Sequence, residues 1–376
     1  MKPDAKQSLL THASRCSSRE IGDREVLKDS LNVNKLLLLI RYFYDDVGVE
    51  LDVNSFYIWQ TIHSLAKAVE RNRALEIPKL LTLKEGDPAK ALVVYAGGVN
   101  CFLEIKSVLE GIDYDGVIYG MCLTDFDRPH GEPASVADEV EASLDELARR
   151  GVTGQVNLLG YSFGGVFALE LARKLRETGR DVGFVGLIDT PQNEHAWPLP
   201  VWLGFVAKRI RRKLKRLTAR RSSQGSQSIP VDGVWSGDVQ KTFLHRLKPL
   251  VFRFLRPDFK IYPELAPEWV GNYTPDYARA GRQLLRMKGL FRPKRYDGKV
   301  VFYRALGGSP IDCDPKRVWP RYLPNAEWVD IKGNHLSAVV GRNGVALGEN
   351  VGGRLRALDT VKPPSAAPAT VEANVA

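Results

Sequence analysis

Short apolar segments alternate with longer amphipathic segments through much of the chain. The segments between the apolar runs, such as "SVADEVEASLDELARRG" and "GVFALELARKLRETGR", repeat apolar residues with the period of an amphipathic helix. Strands that are apolar on both faces and alternate with helices are typical of a parallel sheet covered by helices on both sides. The pattern therefore predicts a doubly wound α/β fold with a mostly parallel sheet. The predicted strands lie at 91–98, 116–121, 155–161, 183–189, 299–305 and 326–332.

The interval 191–298 interrupts this alternation because it contains no convincing strand. An insertion of this length between two strands is usually functional, and we predict a lid over an active site. Within it, residues 201–221 combine an apolar stripe with nine Lys or Arg residues and no acidic residue. Four interpretations stay open for this segment: a lid helix along an acyl channel, a docking face for acidic carrier proteins, a helix on a membrane surface, or a solvated charged face.

The beginning of the chain is predicted to form a small helical unit. An apolar-rich helix spans about 32–46 and ends near Gly48, and two shorter helices follow. A charged stretch interrupted by prolines then predicts a linker. The predicted organisation is a helical unit at 1–75, a linker at 76–89, the α/β domain at 90–360 and a disordered tail at 361–376.

Composition and charge narrow the classes of protein. The 376 residues contain no run of 18 uncharged apolar residues, and the first 20 lack the pattern of a secretory leader, so we expect a cytoplasmic location. Four scattered cysteines predict reduced thiols and no metal site. The formal net charge of +10 fits an acidic partner or surface. Nucleic acid is not an expected partner, because no recognised binding module accompanies the charge.

A candidate nucleophile lies in the sequence Gly-Tyr-Ser-Phe-Gly at 160–164. This G-x-S-x-G pattern is that of a nucleophile elbow, in which a sharp turn between a strand and a helix exposes a serine at the edge of the sheet. The alternative is a serine in an ordinary glycine-rich turn. A predicted strand precedes Ser162 and a predicted helix follows it, which favours the nucleophile.

A serine nucleophile requires a histidine base, which is in turn oriented by a carboxylate. Of the six histidines, His335 alone follows the last predicted strand, although it could also be a capping or surface residue. Asp189 ends the strand that follows the elbow strand. Asp312 and Asp314 follow the penultimate strand and are alternatives for the acid.

The predicted reaction also needs backbone N–H groups that bind an oxyanion. One would come from Phe163, the residue after the nucleophile, and the other from the loop "YAGGVN" after the first predicted strand. Gly98 and Val99 are the candidates in that loop, which could equally be a plain turn.

The segment "VNLLGYSFGGVFALELARKLRETGRDVGFVGLIDT" resembles the elbow, the following helix and the next strand of type I thioesterases, which end nonribosomal peptide and polyketide synthase chains. "YDGKVVFYRA" and "WVDIKGNHLS" are similar to the last two strands and the histidine loop of that family. The resemblance covers roughly residues 80–358, and the insertion falls where the family carries its helical lid. Ala96 stands where the family usually has a proline.

The resemblance implies an α/β-hydrolase fold and a triad of Ser162, His335 and Asp189, which favours Asp189 as the acid. It implies hydrolysis, cyclisation or transfer of an acyl or peptidyl thioester that a phosphopantetheinyl carrier protein or synthase module delivers. The hydrolase itself would need no cofactor. A carboxylesterase or lipase, and a non-catalytic module that binds synthase partners, are the alternative functions.

The segments "VGVEL" and "TIHSLAKAVE" resemble the middle loop and the last helix of an acyl or peptidyl carrier domain. A working carrier attaches phosphopantetheine to the serine of a D-S-L motif, and Ser30 lies in such a motif here. Counting back from "VGVEL", however, places the attachment position near Val33, and the pattern "LNVNKL" would place it at Lys35. Ser30 would serve only if the helix were about three residues longer than usual. A degenerate carrier without the cofactor is therefore the favoured interpretation.

Overall fold

The computed structural model describes a helical unit followed by an α/β part. Within the described residues, no helix is both long enough and apolar enough to cross a membrane. The described residues are 4–71, 76–97, 100–123, 135–193, 196–205, 207, 210–211, 274–308 and 313–361.

The helical unit contains the long helix predicted from the sequence. It begins after Asn32, whose side chain accepts a hydrogen bond from the Lys35 backbone N–H, and ends at Gly48, which has a φ of 77°. An additional helix precedes it and packs against it. Leu9, Phe43 and other apolar side chains fill the core between them. The helices are α1 Ala5–Ser17, α2 Leu27–Ser30, α3 Val33–Val47, α4 Ser55–Ile58 and α5 Ile62–Glu70.

The α/β part is built on one sheet, which has seven strands in the described residues and the order β1-β3-β2-β4-β5-β6-β7. Every neighbouring pair is parallel except β1 with β3. The predicted doubly wound α/β fold, with the strand order of an α/β-hydrolase, is confirmed. The strands are β1 Leu80–Lys84, β2 Asp87–Tyr95, β3 Gly116–Met121, β4 Val156–Tyr161, β5 Val182–Ile188, β6 Val300–Ala305 and β7 Ala326–Ile331.

The linker prediction for residues 76–89 was wrong for most of that stretch, because it contains β1 and the start of β2. β1 pairs in the antiparallel direction at the edge of the sheet. Pro78 precedes the edge strand β1, and Pro88 lies near the start of β2 where its pairing with β3 is irregular, so neither proline marks a break in structure here. The short run "LLTLK" supplies too few residues for its period to be recognised.

Helices cover both faces of the sheet. Leu158 of β4 belongs to the apolar core on the side of α7 and α8, whereas Leu159 belongs to the core on the side of α6 and α10. Burying each leucine side chain stabilises the fold by about 1.5–3 kcal/mol. The helices of this part are α6 Lys106–Gly111, α7 Val136–Arg149, α8 Gly164–Glu177, α9 Pro275–Leu290 and α10 Gly341–Val361.

The insertion lies between two strands that are neighbours in the sheet, since β5 pairs directly with β6. Residues 199–205 and α9 are helical parts of the insertion. Most of the basic segment 201–221 and the tail after residue 361 lie outside the described residues. The lid, membrane-contact and tail hypotheses therefore stay predictions.

Candidate active site

Ser162 lies in the sharp turn between β4 and α8. Its φ is 51°, a conformation that non-glycine residues rarely adopt, and its N–H donates a hydrogen bond of 2.9 Å to the carbonyl of Ile188. A Cβ at Gly160 would lie 2.4 Å from the Gly165 Cα, and one at Gly164 would lie 2.3 Å from the Ala96 oxygen. Gly160 thus allows the close approach of β4 and α8, and Gly164 allows the close approach of α8 and the end of β2.

His335 lies in a tight loop after β7. Gly333 has a φ of 96°, and the Asn334 side chain accepts hydrogen bonds from the backbone N–H groups of Leu336 at 3.1 Å and Ser337 at 2.9 Å. The His335 N–H donates to the Gly308 carbonyl at 3.0 Å. The sequence "GNHLS" therefore folds into a locally bonded loop that fixes the backbone of the histidine.

Asp189 directly follows β5 and is held by β6. Its N–H donates to the Tyr303 carbonyl at 2.8 Å, and its Oδ1 accepts from the Ala305 N–H at 3.3 Å. Asp314, an alternative acid in the sequence, instead pairs with Arg304 at 3.1 Å and accepts a hydrogen bond from the Lys316 N–H. Asp312 lies outside the described residues.

The structure brings Ser162, His335 and Asp189 into one hydrogen-bonded chain. His335 Nε2 lies 2.9 Å from Ser162 Oγ, and His335 Nδ1 lies 2.7 Å from Asp189 Oδ2. With the imidazole proton on Nδ1, the histidine donates to the carboxylate and accepts from the serine hydroxyl. Asp189 is 2% exposed and His335 is 6% exposed, so water competes little for these bonds.

Tyr161 supports the histidine, a contact that the sequence analysis missed. Its hydroxyl donates to the His335 carbonyl at 2.9 Å, and its ring stacks on the imidazole at 5.1 Å between centroids. Burial, followed by the charges of Glu104 and Asp189, raises the pKa of Tyr161, so the phenol remains a donor. In the sequence, Tyr161 was distinguished only by its position directly before Ser162, and the G-x-S-x-G motif accepts any residue there.

Glu104 is a second titratable group whose charge acts on Tyr161. It belongs to the 3₁₀ turn Phe102–Ile105, and its carboxyl is close enough to Tyr161 to influence the charge of the phenol. Burial raises the pKa of Glu104 from its ordinary value of 4.5 to about 7.

The oxyanion candidates are only partly described. Phe163 follows Ser162 at the N-terminal end of α8, where backbone N–H groups lack partners within the helix. Gly98 and Val99 lie outside the described residues, but the flanking residues Gly97 and Asn100 are described. A Cβ at Gly97 would lie 2.9 Å from the Ser162 Cβ, so this loop reaches the nucleophile.

Ser30, the candidate attachment serine, lies outside the long helix of the helical unit. The long helix α3 begins at Val33 after Asn32, and Leu31 is extended, so the helix does not reach Ser30. The Ser30 hydroxyl lies in the separate short helix α2, where it donates to Glu25 at 2.5 Å and to the Val26 carbonyl at 3.1 Å. The extra helical residues that Ser30 would require are therefore missing.

A metal site is likewise not found where the structure can be described. No three His, Cys, Asp or Glu side chains in the described ranges lie close enough together to hold an ion.

Part of the chain is similar to known thioesterase domains. Residues 94–200 match the family model of the thioesterase domain. The thioesterase domain of NocB from the nocardicin cluster is 18% identical, with a TM-score of 0.46, and the likeness covers 74% of this chain and 99% of that domain.

Two of the relatives are a nonribosomal peptide synthetase and a synthase component. A probable non-canonical nonribosomal peptide synthetase of Salinispora arenicola is 27% identical over 165 residues, which are 43% of this chain and 2% of that protein. Enterobactin synthase component F of Escherichia coli O157:H7 is 45% identical over 74 residues, which are 19% of this chain and 6% of that protein. The chain thus spans only a small part of the length of these relatives. Residues 94–200 therefore match the thioesterase domain family, and segments of the chain are similar to segments of these two much longer proteins.

Proposed function

We propose that the chain cleaves an acyl or peptidyl thioester, with Ser162 as nucleophile, His335 as general base and acid, and Asp189 as the group that orients the imidazole. The observation that carries the proposal is the continuous chain from Ser162 Oγ through His335 to Asp189, with separations of 2.9 and 2.7 Å. The match of residues 94–200 to the thioesterase domain supports thioester chemistry in particular.

The first half of the reaction forms an acyl-enzyme. His335 Nε2 removes the proton of Ser162 as the hydroxyl oxygen attacks the thioester carbonyl carbon. The Phe163 N–H and an N–H of the loop at Gly98 or Val99 stabilise the oxyanion. When the tetrahedral intermediate collapses, the carbon–sulfur bond breaks and the imidazolium returns its proton to the leaving thiol.

The second half releases the acyl group. Water, an amine, or a nucleophile within the bound chain gives its proton to His335 and attacks the ester carbonyl, and Ser162 regains its proton when the ester bond breaks. The acyl group arrives on the phosphopantetheine thiol of a carrier protein or synthase module. The synthetase and synthase relatives support this partner. We also propose that the helical unit of this chain carries no phosphopantetheine, because its long helix starts at Val33 and not at Ser30.

A pair of matched substrates tests the proposal. Wild type and Ser162→Ala are compared on an acyl-pantetheine thioester and on the oxygen ester of the same acyl group, and both proteins are treated with a fluorophosphonate probe. We expect the wild type to prefer the thioester and to gain one probe adduct, and the variant to lose both properties.

Two outcomes would overturn the proposal. Full thioester turnover or equal probe labelling in Ser162→Ala would remove the assigned nucleophile. A clear preference for the oxygen ester would instead assign the same residues to a carboxylesterase.

A further inference from the structure

The loop that leads from β2 past Ser162 is held by the helical unit. On the near side of the loop, Gly97 lies against Ser162. On the far side, Asn100 is 6% exposed, has a φ of 61°, and donates its N–H to the Gly97 carbonyl at 2.7 Å. A non-glycine residue in this conformation requires support from its surroundings.

Asn54 supplies that support from the helical unit. Its Nδ2 donates to the Asn100 carbonyl at 2.8 Å, and its Oδ1 accepts from the Phe102 N–H at 3.1 Å. The side chain is almost fully buried, with a residue exposure of 1%. One amide therefore binds the backbone on both sides of Cys101 and leaves little freedom for the end of the loop.

Other contacts attach the same stretch to the helical unit. The side chains of Cys101 and Leu103 belong to the apolar core of that unit. The Tyr57 hydroxyl donates to the Phe102 carbonyl at 3.3 Å, and Lys106 pairs with Asp29 at 3.0 Å. The helical unit is thus fixed to the segment that follows the candidate oxyanion loop.

We propose that the helical unit influences acyl transfer at Ser162 through Asn54, a positioning residue that fixes the backbone at Asn100 and Phe102, directly after the candidate oxyanion loop. This inference rests on the proposed acyl transfer at Ser162. It gives the carrier-like unit a role in catalysis that requires no phosphopantetheine.

The expected loss of kcat follows from how strongly oxyanion stabilisation depends on the position of the donor groups. Loss of one oxyanion donor lowers kcat by about 10²–10³ in a serine hydrolase, and a misplacement of about 1 Å costs about 10²-fold. For Asn54→Ala, which loosens the loop without removing a donor, we expect kcat to fall about 10–100-fold and KM to change less than about threefold.

The test uses the full chain and active-site concentrations measured by fluorophosphonate titration. Ser55→Ala is the matched control, because Ser55 is the next residue and its buried hydroxyl has no hydrogen-bond partner in the described part of the chain. We expect Ser55→Ala to keep the wild-type kcat.

A boronic acid with the acyl chain of the substrate separates positioning from a general loss of structure. It forms a tetrahedral anion on the serine, whereas the matched primary alcohol does not. For Asn54→Ala, the inhibition constant of the boronic acid should rise in step with the loss of kcat, and that of the alcohol should stay within about twofold.

The inference is overturned if folded Asn54→Ala keeps kcat and boronate affinity within about twofold of wild type. If that variant does not fold, Tyr57→Phe replaces it, because it removes a hydrogen bond to the same segment and keeps the ring. A kcat unchanged in Tyr57→Phe would then count against the inference. Activity that survives in Ser162→Ala would contradict the proposed function instead, so the two failures are distinguishable.

Discussion

The sequence predicts a thioesterase in the α/β part and a carrier-like domain in the helical unit, but the structure places the candidate serines of these two regions in different surroundings. In the α/β part, Ser162 has the backbone conformation and the partners that a nucleophile needs. In the helical unit, α3 starts with Val33, and the nearby Ser30 donates its hydroxyl to Glu25. The difference teaches that a serine in the expected short motif is not enough to predict a reactive serine, because Ser162 has a histidine partner whereas Ser30 lies outside the long helix of its unit.

The largest expected effect is on the nucleophile. Ser162→Ala should lower kcat/KM for an acyl-pantetheine thioester by about 10⁵ or more, because it removes the atom that forms the acyl-enzyme. Ser30→Ala is the matched control from the helical unit, and its turnover of the same free substrate should equal that of the wild type. An equal loss of kcat/KM in both variants would show that Ser162 and Ser30 do not differ in their importance for turnover.

The acid gives the next largest effect. Asp189→Asn should lower kcat by about 10⁴, because the amide no longer holds the imidazole in the tautomer that accepts the serine proton. Asp314→Asn, which changes an exposed acid paired with Arg304, should stay within about threefold of wild type. Steady-state kinetics of both variants decide between the two acids, and the reverse order would transfer the role to Asp314.

The attachment of the two regions can be measured through Leu103. This residue belongs to the α/β part in sequence, but its side chain packs in the core of the helical unit and is 7% exposed. Leu103→Ala should lower the free energy of unfolding by about 2–5 kcal/mol. Leu203→Ala, at a position that is 49% exposed, should change it by less than about 1 kcal/mol. Denaturant titration measures both values, and a small effect for Leu103 would show that the two regions are only loosely attached.

Glu104 should make stability depend on pH at this junction. Because the folded-state pKa is raised from 4.5 to about 7, the native state binds the proton more tightly than the unfolded chain. The contribution of Glu104 to the free energy of unfolding is therefore fully present below pH 4.5 and is lost as pH rises through about 7.

Glu104→Gln removes this titration. Its stability relative to wild type should be greater at pH 8 than at pH 5, by on the order of 1 kcal/mol, a value reduced for the partial exposure of the carboxyl. Glu85→Gln, at an exposed position of the same part, should show no such difference. Thermal or denaturant unfolding at pH 5 and pH 8 provides the measurement. If Glu104→Gln differs from wild type in the free energy of unfolding by the same amount at both pH values, the raised pKa of Glu104 is contradicted.

The last prediction is that the helical unit does not become modified with phosphopantetheine. Treatment of the wild type with a phosphopantetheinyl transferase and coenzyme A should add no mass, because Ser30 is not at the start of α3. A carrier protein with an intact D-S-L motif serves as the positive control in the same reaction. A mass gain in the wild type that disappears in Ser30→Ala would restore the carrier function.

Most of the candidate site could be predicted because it depends on the ends of parallel strands. Asp189 and His335 follow strands whose carboxyl ends lie at the same edge as the elbow, so chain order made both of them candidates. The family resemblance was needed to favour Asp189 over Asp312 and Asp314. The sequence held no comparable signal for Tyr161, whose contact with His335 depends on the orientation of a ring and a hydroxyl.

The contact between the two regions was also beyond sequence reasoning. Asn54 binds the backbone of Asn100 and Phe102, and neither hydrogen bond leaves a periodic pattern or a motif in the chain. β1 was missed for a related reason, because its five residues are too few for periodicity and adjoin a proline-rich stretch. Patterns between neighbouring residues predicted most helices and strands. The side-chain contacts that join these elements link residues far apart in the sequence, so no local pattern predicted them.

The position of Asp189 has a consequence for how such enzymes can diversify. Its backbone N–H and its carboxylate both bind β6, so the two strands that flank the insertion are joined at the acid itself. The segment between them can change in length or sequence without moving the acid, because the register of β5 and β6 does not pass through it. The predicted lid can therefore be exchanged or engineered separately from the hydrogen-bonded chain of Ser162, His335 and Asp189.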